Sequence, residues 1–359
     1  MHLQTLVTFA RDLGREWPIS PIKVGGILTA LLIAPIVIWG CYLPFFSLND
    51  RPSIDDAVHI HIKKGMTVRQ IAHVLQREAI IGDTGRFVWT VRVMRKAGAL
   101  KAGHYRFDQR LSNWNLVKRL TNGDVLLQRV TLPEGMRASF VAARLHKVLA
   151  VDSAEVMSYV TNEAYTRSLG IDAEGLEGYL YPDTYAFEEN SSIDLILRRM
   201  VSRFHEMVDQ NILSCCDSLG LSLHQVITLA SIIEGEVVLD RERAIVSSIY
   251  HNRLKKRMYL QSCPTIQYLL PEGPRRLLDK DLEIDSPYNT YRHFGLPPGP
   301  VGNPGIVSIL AACQPARTDY LYLVAKGDGS HSFSKTLTEH NRAKARFNQV
   351  RRAVRRRNR

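Results

Sequence analysis

Apolar residues follow three different rhythms along this chain. From Val24 to Phe46 they run almost unbroken, with no charged residue between Lys23 and Asp50. A helix rising ~1.5 Å per residue over that stretch reaches about 34 Å, enough to cross a hydrocarbon core of about 30 Å. At Val58-His-Ile-His-Ile62 the rhythm changes to strict alternation, which predicts a strand, and Lys63-Lys-Gly65 supplies a turn. Thr67 is placed to cap a helix whose apolar face is Val68, Ile71, Ala72 and Leu75. The spacing further predicts strands at 101–107 and 125–132, a helix at 112–120, and one amphipathic helix from Ile193 to Ile212. Ser222-Leu-His-Gln225 has the form of a capping box, followed by a helix with Leu223, Val226, Ile227, Ala230 and Ile233 on one stripe.

The strand, glycine and helix grammar occurs twice. Leu132 to Leu145 aligns without gaps with Ile62 to Leu75, sharing Gly, Met, Ala and Leu, and Val141 stands where Ile71 does. Around the first copy the elements predict a small α+β module at 58–128 that locally resembles the glycan-binding LysM type; an ordinary packing module is the plain alternative. The fold expected is α+β: a cytoplasmic tail at 1–23, a single N-terminal transmembrane helix at 24–46, a linker at 47–57, the LysM-like module, a mixed α/β catalytic domain at 129–342, and a basic tail at 343–359.

The stripe that begins at Leu223 carries a chemical anomaly. Four residues beyond Ala230 the next inward position is Glu234, and Gly235 follows as a helix-weakening residue. Burial disfavours an ionised carboxyl, so a carboxyl placed here is expected to hold a proton near neutrality, as a general acid must. The competing readings are a side chain that curls to solvent past Gly235, or an ion pair with Arg241, Arg243 or Arg253. Asp240 fits the N-cap of the following helix, 241–256.

Composition narrows the setting. The net charge is +12, and nine Lys or Arg with no acid lie from Arg342 to the end, so the tail accounts for most of it and a distributed nucleic-acid-binding face is not required. Arg11, Arg15 and Lys23 precede the apolar span and Asp50, Arg51, Asp55 and Asp56 follow it, which predicts an N-terminus in the cytoplasm and the remainder outside. The span is too long for a signal-peptide core and no convincing cleavage site follows, although Gly40-Cys41 faintly suggests lipoprotein processing. Cysteines 41, 215, 216, 263 and 313 form neither a disulfide framework nor a zinc motif, and His331 with His340 has no known ligand spacing, so neither metal nor other cofactor is called for.

Ordered motifs give the chemistry a context. Leu229-Ala-Ser-Ile-Ile-Glu-Gly-Glu236, Tyr250-His-Asn-Arg-Leu254 and Leu260-Gln-Ser262 resemble the YceG-like family of membrane-anchored endolytic murein transglycosylases, the MltG type. Glu177-Gly-Tyr-Leu-Tyr-Pro-Asp-Thr184, Ser286-Pro-Tyr-Asn-Thr-Tyr291, Gly295-Leu-Pro-Pro-Gly299, Asn303-Pro-Gly305 and His331-Ser-Phe-Ser334 continue the resemblance in family order. It implies that Glu234 is catalytic, that peptidoglycan strands are the substrate, and that the partners include penicillin-binding synthases; no nucleic-acid partner is expected. The chain departs from the family in Gly235-Glu236-Val237, where Lys-Glu-Thr is common, in Cys263, where Asp is frequent, and in Ser330 in place of Gly.

The resemblance implies cleavage of the β-1,4 bond between N-acetylmuramic acid and N-acetylglucosamine. Glu234 would protonate the bridging oxygen and then take the proton of the muramyl C6 hydroxyl, leaving a 1,6-anhydro end and requiring no second carboxyl. Gln261 and Asn289 are the preferred sugar-binding candidates, with Ser231, Asn252, Tyr288, Thr290 and His331 beside them, and Tyr181 lies in an aromatic cluster suited to stacking on sugar rings. A water-using muramidase needs a second carboxylate, for which Glu236 and Asp183 are nearest by motif. A tethered glycan-binding scaffold without activity is the alternative of another class.

Overall fold

The computed structural model describes residues 57–188 and 191–357, with side chains as far as 349, and the single residue Ile33. The expected tail at 1–23, and the expected membrane span at 24–46 apart from Ile33, lie outside the described residues. Among the described residues no single helix is long and apolar enough to cross a membrane. The chain divides into two compact units, with the break after Leu126.

In the first unit the order is β1 (Val58–Ile62), α1 (Val68–Arg77), α2 (Thr84–Val93), β2 (Gly103–Phe107) and α3 (Asn113–Asn122). β1 and β2 pair antiparallel, Val58 opposite Phe107 and Ile62 opposite Gly103. Thr67 caps α1 through a complete capping box with Gln70, and Ile71, Ala72 and Leu75 enter the core that the alternation of β1 also feeds through Ile60 and Ile62. Helix α2 has no counterpart in the sequence reading. Its buried set is only Phe87, Thr90 and Val91, and exposed Trp89 and Val93 interrupt the stripe.

The second unit contains β3 (Leu127–Thr131), α4 (Ala138–Leu149), α5 (Ser153–Val160), α6 (Glu163–Ser168), β4 (Thr184–Glu188), α7 (Ile193–Met207), α8 (Gln210–Leu219), α9 (Leu223–Glu236), α10 (Asp240–Lys255), α11 (Cys263–Leu269), a short 3-10 turn (Asp279–Glu283), α12 (Ile306–Cys313), β5 (Tyr322–Ala325), β6 (His331–Ser334) and α13 (Leu337–Arg357). β3 pairs with β4 and β5 with β6, each a two-stranded antiparallel ladder. The class is therefore α+β with small sheets, without a larger mixed sheet among the described residues.

Two expected elements differ in detail. The helix drawn from Ile193 to Ile212 is two helices, because Asp209 accepts from the amides of Asn211 and Ile212 and so starts a new one. Asp240 is the first residue of α10, and Leu239 takes the cap position. Asp240 instead accepts from Arg243 Nε at 2.9 Å.

Helix α9 is the axis of the unit. Ser222 and Gln225 form the capping box at its start, and every residue from Val226 to Ile233 is buried. A helix buried all round has neighbours on each side, so the carboxylate at its far end arrives at a junction of several segments rather than in water.

Candidate active site

Glu234 occupies the last turn of α9, and its side chain is 7 % exposed. One carboxylate oxygen, Oε1, accepts from Nη1 of Arg243 on α10 at 2.9 Å. The other, Oε2, accepts from the backbone N–H of Gly305 at 3.0 Å. Gly305 is the N-cap of α12, whose first turn has no cap from its own side chains. The carboxylate thus serves as a cap from another helix, placed where the partial positive charge of a helix start favours an anion. Of the three arginines considered from sequence, Arg243 is the one that pairs with it; the surroundings of Glu234 are not purely apolar.

Arg243 is itself held on three sides. Its Nε donates to Asp240 and its Nη1 to Glu234 and to the Ser308 hydroxyl. Burial opposes the guanidinium charge, and the Asp240 and Glu234 carboxylates outweigh this, so its pKa lies above the ordinary arginine value. A buried pair of this kind contributes little net stability, but removing one partner strands the other, at a cost of about 3–5 kcal/mol.

The loop between β3 and α4 closes the other side. Gly135, at φ +74°, has its Cα so near Glu234 that an added Cβ would lie 3.4 Å from Glu234 Cγ. Its N–H donates to Asn303 O at 2.8 Å, and a Cβ on Gly302 would strike the Gly135 carbonyl. The preceding residue, Glu134, is exposed along its length, but its carboxylate end is covered where it lies against Gly305, in the place a side chain would otherwise take. Burial first, and then the charge of Glu234, push the Glu134 carboxyl above its usual range. Tyr181 is buried, its hydroxyl meets the N–H of Ile306, and its pKa is raised by burial.

Glu177 holds this loop from behind. Both its oxygens accept from the N–H of Ala138, the first residue of α4. Burial is the main reason that its pKa is raised to about 7; the hydrogen bond from Ala138 works in the opposite direction. Glu177 also borders a cavity of about 570 Å³ together with His224, Tyr268, Tyr288, Pro298 and Gly299. His224 lies in the first turn of α9 and Glu234 in the last, roughly 15 Å apart along the helix.

The remaining sequence candidates fall into separate places. Ser231, Asn289 and Thr290 are buried. Ser231 donates to Thr228 O and accepts from Val301 N; Asn289 bonds Leu282 O, Ile284 O and Tyr291 N; Thr290 bonds Ser262 N and the Thr265 hydroxyl. Asn252 donates to the carbonyls of Thr318 and Tyr320, and His331 pairs with Glu242 at 2.7 Å. These bonds tie segments together around the site. Asp183 pairs with Arg203 at 2.9 Å. Glu236 is pushed above the usual carboxylate range by burial and meets the Ser262 hydroxyl at 3.4 Å. Tyr288 has an open face on the cavity.

Gln261 is exposed and has a left-handed backbone, φ +48°, unusual for a residue with a Cβ. Two residues further on, Cys263 begins α11, which packs so closely on the end of α9 that a Cβ at Gly235 would meet Pro264 at 2.8 Å. Glu134 and the Gly305 amide were not found from the sequence. The signal available for Glu134 was its place in the second strand–glycine copy, directly before Gly135.

Comparison with known proteins gives the family of the chain. Residues 60–346 match the model of the YceG-like family. An endolytic murein transglycosylase of Bacillus subtilis is 33% identical over 330 residues, covering 87% of this chain and 91% of that protein. An endolytic murein transglycosylase of Streptococcus pneumoniae is 27% identical over 320 residues, 79% of this chain and 57% of that longer protein. A crystal structure of a YceG-like protein from Listeria monocytogenes superposes with a TM-score of 0.57 at 31% identity, covering 80% of this chain and 98% of that one.

Proposed function

The chain belongs to the YceG-like family, and we propose that it is an endolytic murein transglycosylase whose catalytic group is Glu234. The observation that carries the assignment is the meeting of α9, α10, α12 and the 134–136 loop on one carboxylate. Glu234 gives a proton to the oxygen bridging N-acetylmuramic acid and N-acetylglucosamine. The C1–O bond breaks, the muramyl C6 oxygen bonds to C1, and the C6 hydroxyl proton passes to Glu234. One 1,6-anhydro end and one free N-acetylglucosamine end result, and no water is consumed.

The Arg243 guanidinium and the Gly305 amide compensate the negative charge as Glu234 loses its proton, without having to reorganise. Closure by a hydroxyl of the same sugar gains from proximity. The reading extends to the setting expected from sequence: a retained single-pass anchor at 24–46 in a bacterial cytoplasmic membrane, the catalytic unit outside it, and nascent strands made by penicillin-binding synthases as the substrate.

The test is to incubate the chain with uncrosslinked glycan strands and identify the ends by mass spectrometry. Anhydro ends are expected from the wild type, and Glu234→Gln should lower the rate by about 100-fold or more while the thermal unfolding transition persists. Reducing ends would identify a muramidase, binding without cleavage a scaffold, and undiminished turnover in the variant would remove Glu234 from the mechanism.

A further inference from the structure

Glu234 is surrounded by donors, and neither Arg243 nor the Gly305 amide can take a proton from it or lend one to it in the working pH range. A site that delivers a proton and recovers it benefits from a neighbouring group able to hold one. Glu134 is that neighbour. It comes from the β3–α4 loop, its carboxylate lies against Gly305, and Gly305 is the residue whose amide binds Glu234. A side chain on Gly305 would take the place of the Glu134 carboxylate, and one on Gly135 would press on Glu234, so both glycines leave room for the two acids beside Gly305.

We propose that Glu134 is a second carboxyl of the catalytic crevice, sharing with Glu234 the single proton that the reaction moves. The proposal rests on Glu234 being the group that exchanges this proton with substrate. Before reaction the pair holds one proton. Glu234 delivers it to the bridging oxygen, both carboxyls are briefly ionised, and the proton from the C6 hydroxyl restores the pair. The charge balance closes within one turnover, and no other reactant enters. Glu134 acts through Glu234 and is a positioning residue for the proton.

The charged and titratable groups that face Glu134 among the described residues are Glu234 on α9, Asp240 and Arg243 on α10, and Tyr181 before β4. The two acids favour a proton on Glu134, as burial does, and Arg243 opposes it. The part that Glu134 plays is therefore read from the pH profile of the rate.

The measurement is the rate of anhydro-end formation against pH for wild type, Glu134→Gln and Glu134→Asp, with kcat and KM separated and unfolding followed in parallel. Glu134→Gln should lose about tenfold or more in kcat at neutral pH with little change in KM, and its high-pH limb should move to lower pH. Glu134→Asp should recover part of the rate and keep the limb near its wild-type position. A Glu134→Gln profile that overlays wild type, or one reduced equally at every pH, overturns the proposal. If Glu134→Gln does not fold, Glu134→Ala decides in its place: a high-pH limb moved to lower pH supports the shared proton, and a limb at its wild-type position overturns it. Failure of Glu134 alone, with Glu234→Gln inactive, leaves the transglycosylase reading standing; anhydro ends absent from the wild type would remove both.

Discussion

Residues 62–75 and 132–145 build the same strand, glycine and helix unit, and they are stabilised in different ways. In both copies the corresponding side chains are buried: Ile62 and Leu132, Ile71 and Val141, Ala72 and Ala142, Leu75 and Leu145. Both turns need a glycine, at φ +87° for Gly65 and +74° for Gly135. The helix starts then diverge. Thr67 caps α1 with its own hydroxyl, whereas Arg137, in the equivalent place, caps nothing and sends Nη1 to the carbonyls of Gln267, Tyr268 and Leu270. The cap of α4 comes from Glu177, 39 residues further along the chain. A local cap makes a helix self-sufficient. A cap from a distant segment fixes the loop before the helix relative to the rest of its unit, which is what a loop carrying Glu134 past Glu234 requires.

The common part of the comparison is tested by the largest effect. Leu75→Ala and Leu145→Ala each empty a fully buried site and should each cost about 2–5 kcal/mol by denaturant unfolding. A cost below about 1 kcal/mol at either position would mean that the two copies do not share a core logic. Gly65→Ala and Gly135→Ala come next. Each forces a Cβ into a left-handed backbone, at about 1–2 kcal/mol. Gly65 has open space around it, but Gly135 has Glu234 beside it. Displacing a reacting group by ~1 Å can cost about 100-fold in rate, so Gly135→Ala should depress anhydro-end formation far more than its loss of stability explains, and Gly65→Ala should not. Equal activities would break the comparison at its functional end.

The same contrast explains what was legible in the chain. Interactions that close within one helical turn were visible: the cap at Thr67, the capping box of Ser222, the stripe of α9, and the inward place of Glu234. The break at Asp209 was not, because the apolar rhythm continues across it and only the Asp side chain redirects the backbone. The partner of Glu234 was narrowed to three arginines, and tertiary packing of α10 selected Arg243. Glu134 and the Gly305 amide are 100 and 71 positions away from Glu234, and no periodicity reports contacts over such distances. Asn289 was attractive as a polar residue in a motif, yet it is buried, both its amide hydrogens go to the carbonyls of Leu282 and Ile284, and its side-chain oxygen accepts from the Tyr291 amide. Polarity alone does not separate residues that face a ligand from those that hold a loop.

The smallest effect concerns the caps themselves, since a hydroxyl at Thr67 does not titrate near neutrality and a carboxyl at Glu177 does. Burial raises Glu177 from an ordinary 4.5 to about 7 in the folded chain. Between these values the folded state holds a proton that the unfolded state has released. This contribution to stability is complete below pH ~4.5 and declines as pH rises through about 7. Glu177→Gln keeps a carbonyl acceptor for the Ala138 amide and removes the titration. The midpoint temperature of the variant should therefore fall less steeply than that of the wild type between pH ~4.5 and ~7, and the two curves should run parallel above that window. Parallel curves throughout would show that the cap of α4 is not the proton-binding group, and the chemical distinction between the two helix starts would then rest on geometry alone.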